Sequence, residues 1–527
     1  MPRLIRSTVV VLFLAAVSLA GPARGANEGQ DDLDRAMDAK LTAKTAEELG
    51  EVIRLADSAL QKGLDEGNTQ FAEMLLASTL TQRGAMRAAD FFAAGAKDAE
   101  LRQAALADLD RAVQVEADQP EALFHIARLH LLPGGDRARA VKALDRAIDL
   151  LDRDPLMKAK ALLLRSGTTG DLDEKLADLD EAIRLSPGEA AAYRIRALLH
   201  VARGKLEEAL GDLDKAVELS PKTLGSYELK AAVLLKMEKP DEALATFEKA
   251  KEANPDSVEP LVQKAKIHVT QGQFAEALAE LDRAFALDAE DLQVLLGRAV
   301  VHQALGDKEK ALADVDRALE LRPKLPPVLR LRAMVLADAQ RLDEAIAQME
   351  ELQELVPGDM SVQLQLGLLL NGGKKHLEAV ECFSAVLLRQ PDNWAALRGR
   401  GDARLSLGQH KEAISDFEEA RKLQPKDPGI LNNLAWVLAT SPTDELRDGA
   451  RAVELATGAC EVTEYGQAHI LSTLAAAYAE TGDFESAVKW SQKAVEAGSE
   501  DQREHLEKEL ESFRAKKPWR ENLAEEP

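Results

Sequence analysis

Proline returns every 34 residues through the middle of this 527-residue chain: Pro187, Pro221, Pro255, Pro323, Pro357, Pro391 and Pro425 share one lattice, with Ala289 in the single vacant slot. Alanine fills a second lattice position without a gap, at Ala209, Ala243, Ala277, Ala311, Ala345, Ala379 and Ala413. A third carries Gly170, Gly204, Gly272, Gly306 and Gly408, interrupted by Glu238, Gln340 and Lys374. A fixed period of this size means that each repeat is one supersecondary unit, which buries its apolar face only by stacking on its neighbours. The chain is too long for a single hydrophobic core, so the period governs its organisation.

Within one period, "AYRIRALLHVARGKLEEALGDLDKAVELSP" from Ala192, apolar and small residues recur three and four apart on both sides of Gly204. That spacing predicts two amphipathic helices joined by a tight turn, with Gly204 supplying a backbone conformation that a side chain disfavours. Pro221 then stops the second helix and redirects the chain. Aromatic residues make up only 4% of the composition, and much of the apolar content is Ala, Leu and Val at helical spacing. An all-α fold of close-packed helices follows.

The pattern resembles the tetratricopeptide repeat family, a 34-residue helix-turn-helix with small residues at positions 8, 20 and 27 and proline at 32. Position 8 here is Ala197, Ala231, Ala265, Ala299, Ala333, Gly367 and Gly401; position 27 is Ala216, Ala250, Ala284, Ala318 and Ala420, relaxed to Leu352 and Val386. The resemblance implies a right-handed α-solenoid of about twelve helix-turn-helix repeats between residues 66 and 498. Residues 188–425 read as the regular array, 66–187 as degenerate or irregular repeats, and 426–498 as two further repeats with a longer turn. Those last two resemble the closing repeats of exported bacterial proteins of the planctomycete type. Residues 27–65 read as an N-terminal helical segment, with a helix in "TAEELGEVIRLADSALQKGL". Residues 499–527 read as a charged capping helix, which an open stack needs for solubility, and a loosely held tail, "KKPWRENLAEEP".

The first 26 residues have the layout of a secretory signal peptide: Arg3 and Arg6, an uncharged run from Ser7 to Ala20, then Ala23, Gly25 and Ala26. The apolar run is short for a spanning helix, which needs about 20 residues. Cleavage near Gly25 or Ala26, and hence a periplasmic or secreted location, is the expectation, with retention as an uncleaved anchor the alternative. The mature chain then holds 64 basic against 91 acidic residues, a balance that disfavours nucleic acid and anionic membranes as partners. Cys382 and Cys460 lie more than two repeats apart, too far for a mutual disulfide, and read as packing residues.

The acids of "DLDKAVELSP", Asp212 and Asp214, recur as Asp-x-Asp at Asp108, Asp178 and Asp314. Residues two apart on a helix point roughly 200° apart, so such a pair does not face one metal. Asp212 lies eight residues after the turn and Arg196 eight before it, which places them at one height of an antiparallel hairpin. The pairs Arg196–Asp212, Lys264–Glu280, Arg298–Asp314 and Arg400–Asp416 follow as braces within a repeat. Leu366 faces Cys382 and Leu474 faces Trp490 at the same register, so an apolar residue replaces the base where one replaces the acid. Lys230 with Thr246 and Arg332 with Gln348 depart from this rule, and Asp214 reads as a solvated surface charge. His130, His200, His268 and His302 occupy equivalent first-helix points. Stacked helices lie on the order of 8–10 Å apart while zinc ligands lie about 2 Å from the metal, so packing is the expected role. No catalytic set, cofactor loop or metal site emerges, and the repeats leave no room for an enzymatic domain.

In the family this pattern resembles, the first helix of each repeat lines a concave face. Carried over, that face includes Arg194, Leu198, Lys236, Lys266, Val300, Arg330, Met334, Arg398, Asn432 and Trp436. The mixture of apolar residues and scattered bases implies a groove for a protein or peptide segment. The expected function is a non-enzymatic, exported protein-interaction scaffold or adaptor. An envelope assembly chaperone and an accessory subunit of an envelope enzyme are the alternatives.

Overall fold

The computed structural model describes residues 28–521. The expected signal peptide at residues 1–26 lies outside them, as do residues 522–527 of the tail. Among the described residues there are 27 α-helices, one short 3-10 turn and no strand. They fall into two compact units, one ending at Asn254 and the other beginning at Pro255.

Each unit is a run of helical hairpins. The N-terminal unit runs from the pair Gln30–Thr42 and Ala46–Lys62 to the pair Leu224–Lys236 and Pro240–Ala253. The C-terminal unit runs from Glu259–Thr270 and Phe274–Leu287 to Ala468–Glu480 and Phe484–Ala497, closed by Glu500–Arg514. Twelve hairpins fall between Glu66 and Ala497, the number expected from the period. The pair at Gln30–Lys62 adds one more, because "QDDLDRAMDAKLT" ahead of the expected helix is itself helical.

Small residues set how closely the two helices of a hairpin approach. Ala209, Ala243, Ala277, Ala311, Ala345, Ala379 and Ala413 are all fully buried, as are Ala197, Ala299 and Ala333 on the partner helices. Leu352 and Val386 fill the relaxed position 27 and are equally buried. Of the two cysteines, Cys460 is buried and Cys382 only half-buried. Burial pushes both thiols up to about 11.

The turns explain the glycine lattice and its interruptions. Gly204 has φ +73° and closes the first helix, with Lys205 N–H donating to the His200 carbonyl at 2.9 Å. The non-glycine residues at this position adopt the same left-handed backbone: Glu238 at 59°, Gln340 at 60° and Lys374 at 60°. Their turns keep the same bond, as from Lys375 N–H to the Leu370 carbonyl at 2.8 Å. Packing thus holds the turn against a local cost of roughly 1–2 kcal/mol for a side chain in this region. Lys374→Gly should raise stability by about 1 kcal/mol, read as a higher urea midpoint at unchanged slope.

The charged residues run a chain of bonds through each stack. Arg196 donates to Asp212 at 2.6 and 2.9 Å, within its hairpin, and to Asp180 of the preceding hairpin at 2.7 Å. Arg400 pairs with Asp416 at 2.7 Å and donates to Ser384 of the preceding hairpin at 3.2 Å. Lys264 reaches Glu280 at 2.5 Å. A first helix lies between its own second helix and the one before, so a base on it reaches acids sixteen residues away in both directions. Asp214 is exposed, as its reading as a solvated charge requires, and it also accepts from Lys230 of the next hairpin at 2.5 Å. Arg332 likewise takes Asp316 at 2.7 Å and Gln348 at 3.0 Å. The roughly 200° between residues two apart on a helix turns one acid of Asp-x-Asp toward its own hairpin and the other toward its neighbour.

Arg298 is the looser member. Its Nε lies 3.3 Å from Asp314 and 3.4 Å from Asp282 without an aligned hydrogen bond, because the guanidinium stacks over the Phe285 ring at 4.0 Å. Asp314 is buried beside it, and burial pushes its carboxyl above the ordinary range.

The described part of the tail, up to residue 521, is held rather than loose. Trp519 packs into the C-terminal core, Arg520 pairs with Glu480 at 2.6 Å, and Glu521 N–H donates to the Thr440 carbonyl at 3.0 Å. This segment thus returns to the C-terminal ends of the helices Pro428–Thr440 and Ala468–Glu480, while Glu500–Arg514 packs on the last hairpin.

Candidate functional site

The first helices of the C-terminal unit place one register position at the surface in succession. Val300 on Leu292–Ala304, Met334 on Pro326–Asp338 and Leu368 on Met360–Gly372 are 43%, 47% and 51% exposed. Leu295 and Leu329, five residues earlier on these helices, and Val362, six residues before Leu368, are fully buried. Three large apolar side chains at one register on successive helices form a row, and such rows mark interaction surfaces when no chain covers them. Lys266, exposed, holds the same register one repeat earlier; Asp402 and Trp436 hold it one and two repeats after Leu368. In the N-terminal unit, Leu198 is 48% exposed, Lys236 is exposed and Arg194 half-buried.

Two of the bases expected to face a ligand are held by the scaffold instead. Arg330 donates to Asp359 and Gln365 at 2.9 Å and to Ser361 at 3.1 Å, all on or beside the next first helix. Arg398 lies 3.6 Å from Asp427 and 3.9 Å from Asp402. Their partners Asp359 and Asp427 cap the following first helices, so these arginines lock one repeat to the next and leave the row between them mainly apolar. Asn432 is also not a free surface group: it is 7% exposed and donates to Asn433 at 3.0 Å. Asn433 in turn donates to Asp402 at 2.6 Å. Burial pushes the Asp402 carboxyl up to about 6.

The first-helix histidines serve the hairpin acids. His200 Nε2 lies 3.7 Å from Asp212, and His302 Nε2 lies 4.0 Å from Asp314. Arg404, which replaces histidine at the same register, donates to Asp416 at 2.6 Å. Each acid twelve residues on is thus approached from two turns of the first helix, a partnership that the spacing of Arg404 and Asp416 could have revealed. His268 and His130 bond locally, to Gln273 at 2.7 Å and from Asp136 N–H at 3.1 Å. Among the described residues, no three His, Cys, Asp or Glu side chains converge as a metal site, and no helix is long and apolar enough to cross a membrane.

Four stretches of the chain match family models described as tetratricopeptide repeat, at residues 121–150, 262–326, 364–428 and 467–498. Residues 170–250 match a model described as anaphase-promoting complex, cyclosome, subunit 3. Among curated proteins, a tetratricopeptide repeat and J domain-containing co-chaperone of Fusarium oxysporum f. sp. lycopersici is 28% identical over 152 residues, 28% of this chain. The match spans only 29% of that relative's length. Among solved structures, the Cut9–Hcn1 hetero-tetramer of APC/C aligns at 14% identity and a TM-score of 0.41, covering 82% of this chain and 96% of that one. Yeast Tom70 aligns at 16% and 0.35, covering 75% and 96%. YrrB, described as a TPR protein with an unusual peptide-binding site, aligns at 22% and 0.32, covering 35% and 95%.

Proposed function

Because this chain belongs to the tetratricopeptide repeat family, we propose that it is a non-enzymatic scaffold or adaptor that binds a segment of another protein along the first-helix face of its C-terminal unit. The observation that carries this reading is the row Val300, Met334 and Leu368, each close to half exposed at one register. Arg330 and Arg398 are tied to neighbouring repeats, so the row offers apolar contact with little competing charge. A segment with two or three apolar side chains would gain roughly 1.5–3 kcal/mol for each one fully buried. The layout of residues 1–26 supports export, and the action is proposed to be in the periplasm or outside the cell.

The test is affinity capture from envelope extract with the full chain and with the Met334→Asp/Leu368→Asp double variant. A partner retained in stoichiometric amount by the wild type should be lost at least tenfold by the variant, about 1.4 kcal/mol. Equal retention by both proteins, or substrate turnover by the purified protein alone, would overturn the scaffold reading. Many substoichiometric clients, lost together in the variant, would favour the chaperone alternative, to which the similarity to a co-chaperone lends support.

A further inference from the structure

A cleft of about 450 Å³ opens between the helices Pro428–Thr440, Ala468–Glu480 and Glu500–Arg514, walled by residues that include Asn432, Trp436, Ser472, Asp501, His505 and Glu509. The last of these helices lies outside the repeat lattice, so the cleft belongs to this end of the C-terminal unit alone. Glu509 is 1% exposed. Its Oε2 accepts from Ser472 Oγ at 2.6 Å. Its Oε1 has His505 Nε2 at 3.2 Å but no aligned donor.

A second acceptor on the same walls is unused. Asp402 accepts from Asn433 Nδ2, which leaves Asn433 Oδ1 to accept from Asn432 Nδ2. That order fixes which way the Asn432 amide points and leaves its Oδ1 buried without a donor. Buried polar atoms in native proteins are nearly always hydrogen-bonded, and an unpaired one costs free energy. Asn432 Oδ1 thus has no donor, and Glu509 Oε1 has only the His505 imidazole, whose charged form Glu509 favours; a donor-rich group of permanent charge would satisfy both. The walls contain two acids and two histidines but no lysine or arginine, so the protein itself brings no permanent cation.

We propose that this cleft receives an organic cation, the guanidinium or ammonium of a basic residue on the bound segment, with Glu509 and Asn432 as its acceptors and Trp436 as its aromatic wall. A cation against an indole gains further attraction where water is excluded. The net charge of −24 favours approach of a basic segment. The inference rests on the groove reading, because Asn432 and Trp436 hold the register positions of Arg330 and Met334. It adds to that reading a basic residue placed beyond the apolar row.

The experiment is fluorescence anisotropy at pH 7.5, above the value near which Asp402 protonates, using the full chain. The probes are N-acetylated labelled peptides of one apolar frame, Leu-Ala-X-Ala-Leu, with X as Arg, Lys, Gln or Glu. A fifth peptide, with X as Gln and a free amino terminus, reads whether an α-ammonium serves as the cation. The Arg and Lys peptides should bind at least tenfold more tightly than the acetylated Gln and Glu peptides. Glu509→Gln, which keeps the Ser472 bond, should bring all of them within twofold of each other without changing the urea midpoint. Equal affinity across X, or a preference that survives Glu509→Gln, would overturn the cation site. The groove reading would then still stand if Leu368→Asp weakened every peptide. No binding by any peptide would overturn the cation site, and no effect of Leu368→Asp on captured partners would separately overturn the groove.

Discussion

Arg196→Leu should destabilise the N-terminal unit by about 3 kcal/mol, the lower end of the range for removing one partner of a buried ion pair. The size follows from what is left behind. Asp212 is 6% exposed and would keep only His200 at 3.7 Å, while Asp180, largely exposed, would simply return to water. The chain also contains its own repair. At the same register, Leu366 faces Cys382 and the hairpin Met360–Gly372 with His376–Arg389 forms normally. Adding Asp212→Cys to Arg196→Leu should therefore bring the loss to within about 1 kcal/mol of the wild type, because an apolar pair of suitable volume replaces a buried ion pair at little cost. Urea unfolding of the wild type, both single variants and the double variant gives the coupling. Additive losses would show that the carboxylate is not stranded by loss of its base, and that the brace is ornamental.

The legibility of this fold follows from symmetry within one repeat. Arg196 and Asp212 are equidistant from Gly204, so their meeting needs only a hairpin. Asp214 needs the next repeat, and its partner was legible only as an anomaly. Lys230 and Arg332 lack an acid sixteen residues ahead, yet each has one sixteen residues behind, at Asp214 and Asp316. The groove was legible in its apolar members, which the register places and the surface exposes. Its bases were not, since Asp359 and Asp427, which hold Arg330 and Arg398, sit at helix caps that no amphipathic pattern singles out. The cleft at Glu509 lay further from view, because it depends on a helix with no counterpart in the lattice.

Gly399→Leu should cost the C-terminal unit about 3 kcal/mol, for a reason that period and composition conceal. Position 6 of a repeat faces position 24 of the repeat before: Leu229 meets Leu213, Leu331 meets Val315, and where glycine recurs, at Gly297, it meets the smaller Leu281. At Gly399 the facing residue is Phe383, whose ring is fully buried. A methyl group on Gly399 would come 2.5 Å from Cζ of that ring, and one on Gly367, from the ring's own hairpin, 2.8 Å from Cε1. The ring is therefore enclosed by glycines on two successive first helices and has no direction in which to retreat. A phenylalanine at position 24 is not sufficient by itself to require this, since Phe247 faces Ala231 in its own hairpin; the enclosure from both sides is what distinguishes Phe383. Overpacking of a dense core costs typically 1–3 kcal/mol, and a leucine here is several atoms larger than the methyl group that already collides. The gain in helix propensity over glycine, about 1 kcal/mol, offsets part of that. Phe383→Leu in the same chain recreates the Leu229–Leu213 pairing and should recover at least half of the loss. A double variant less stable than Gly399→Leu alone would show that Phe383 contributes more through its own contacts than it costs as an obstacle, and would place the destabilisation in the helix Trp394–Ser406 itself.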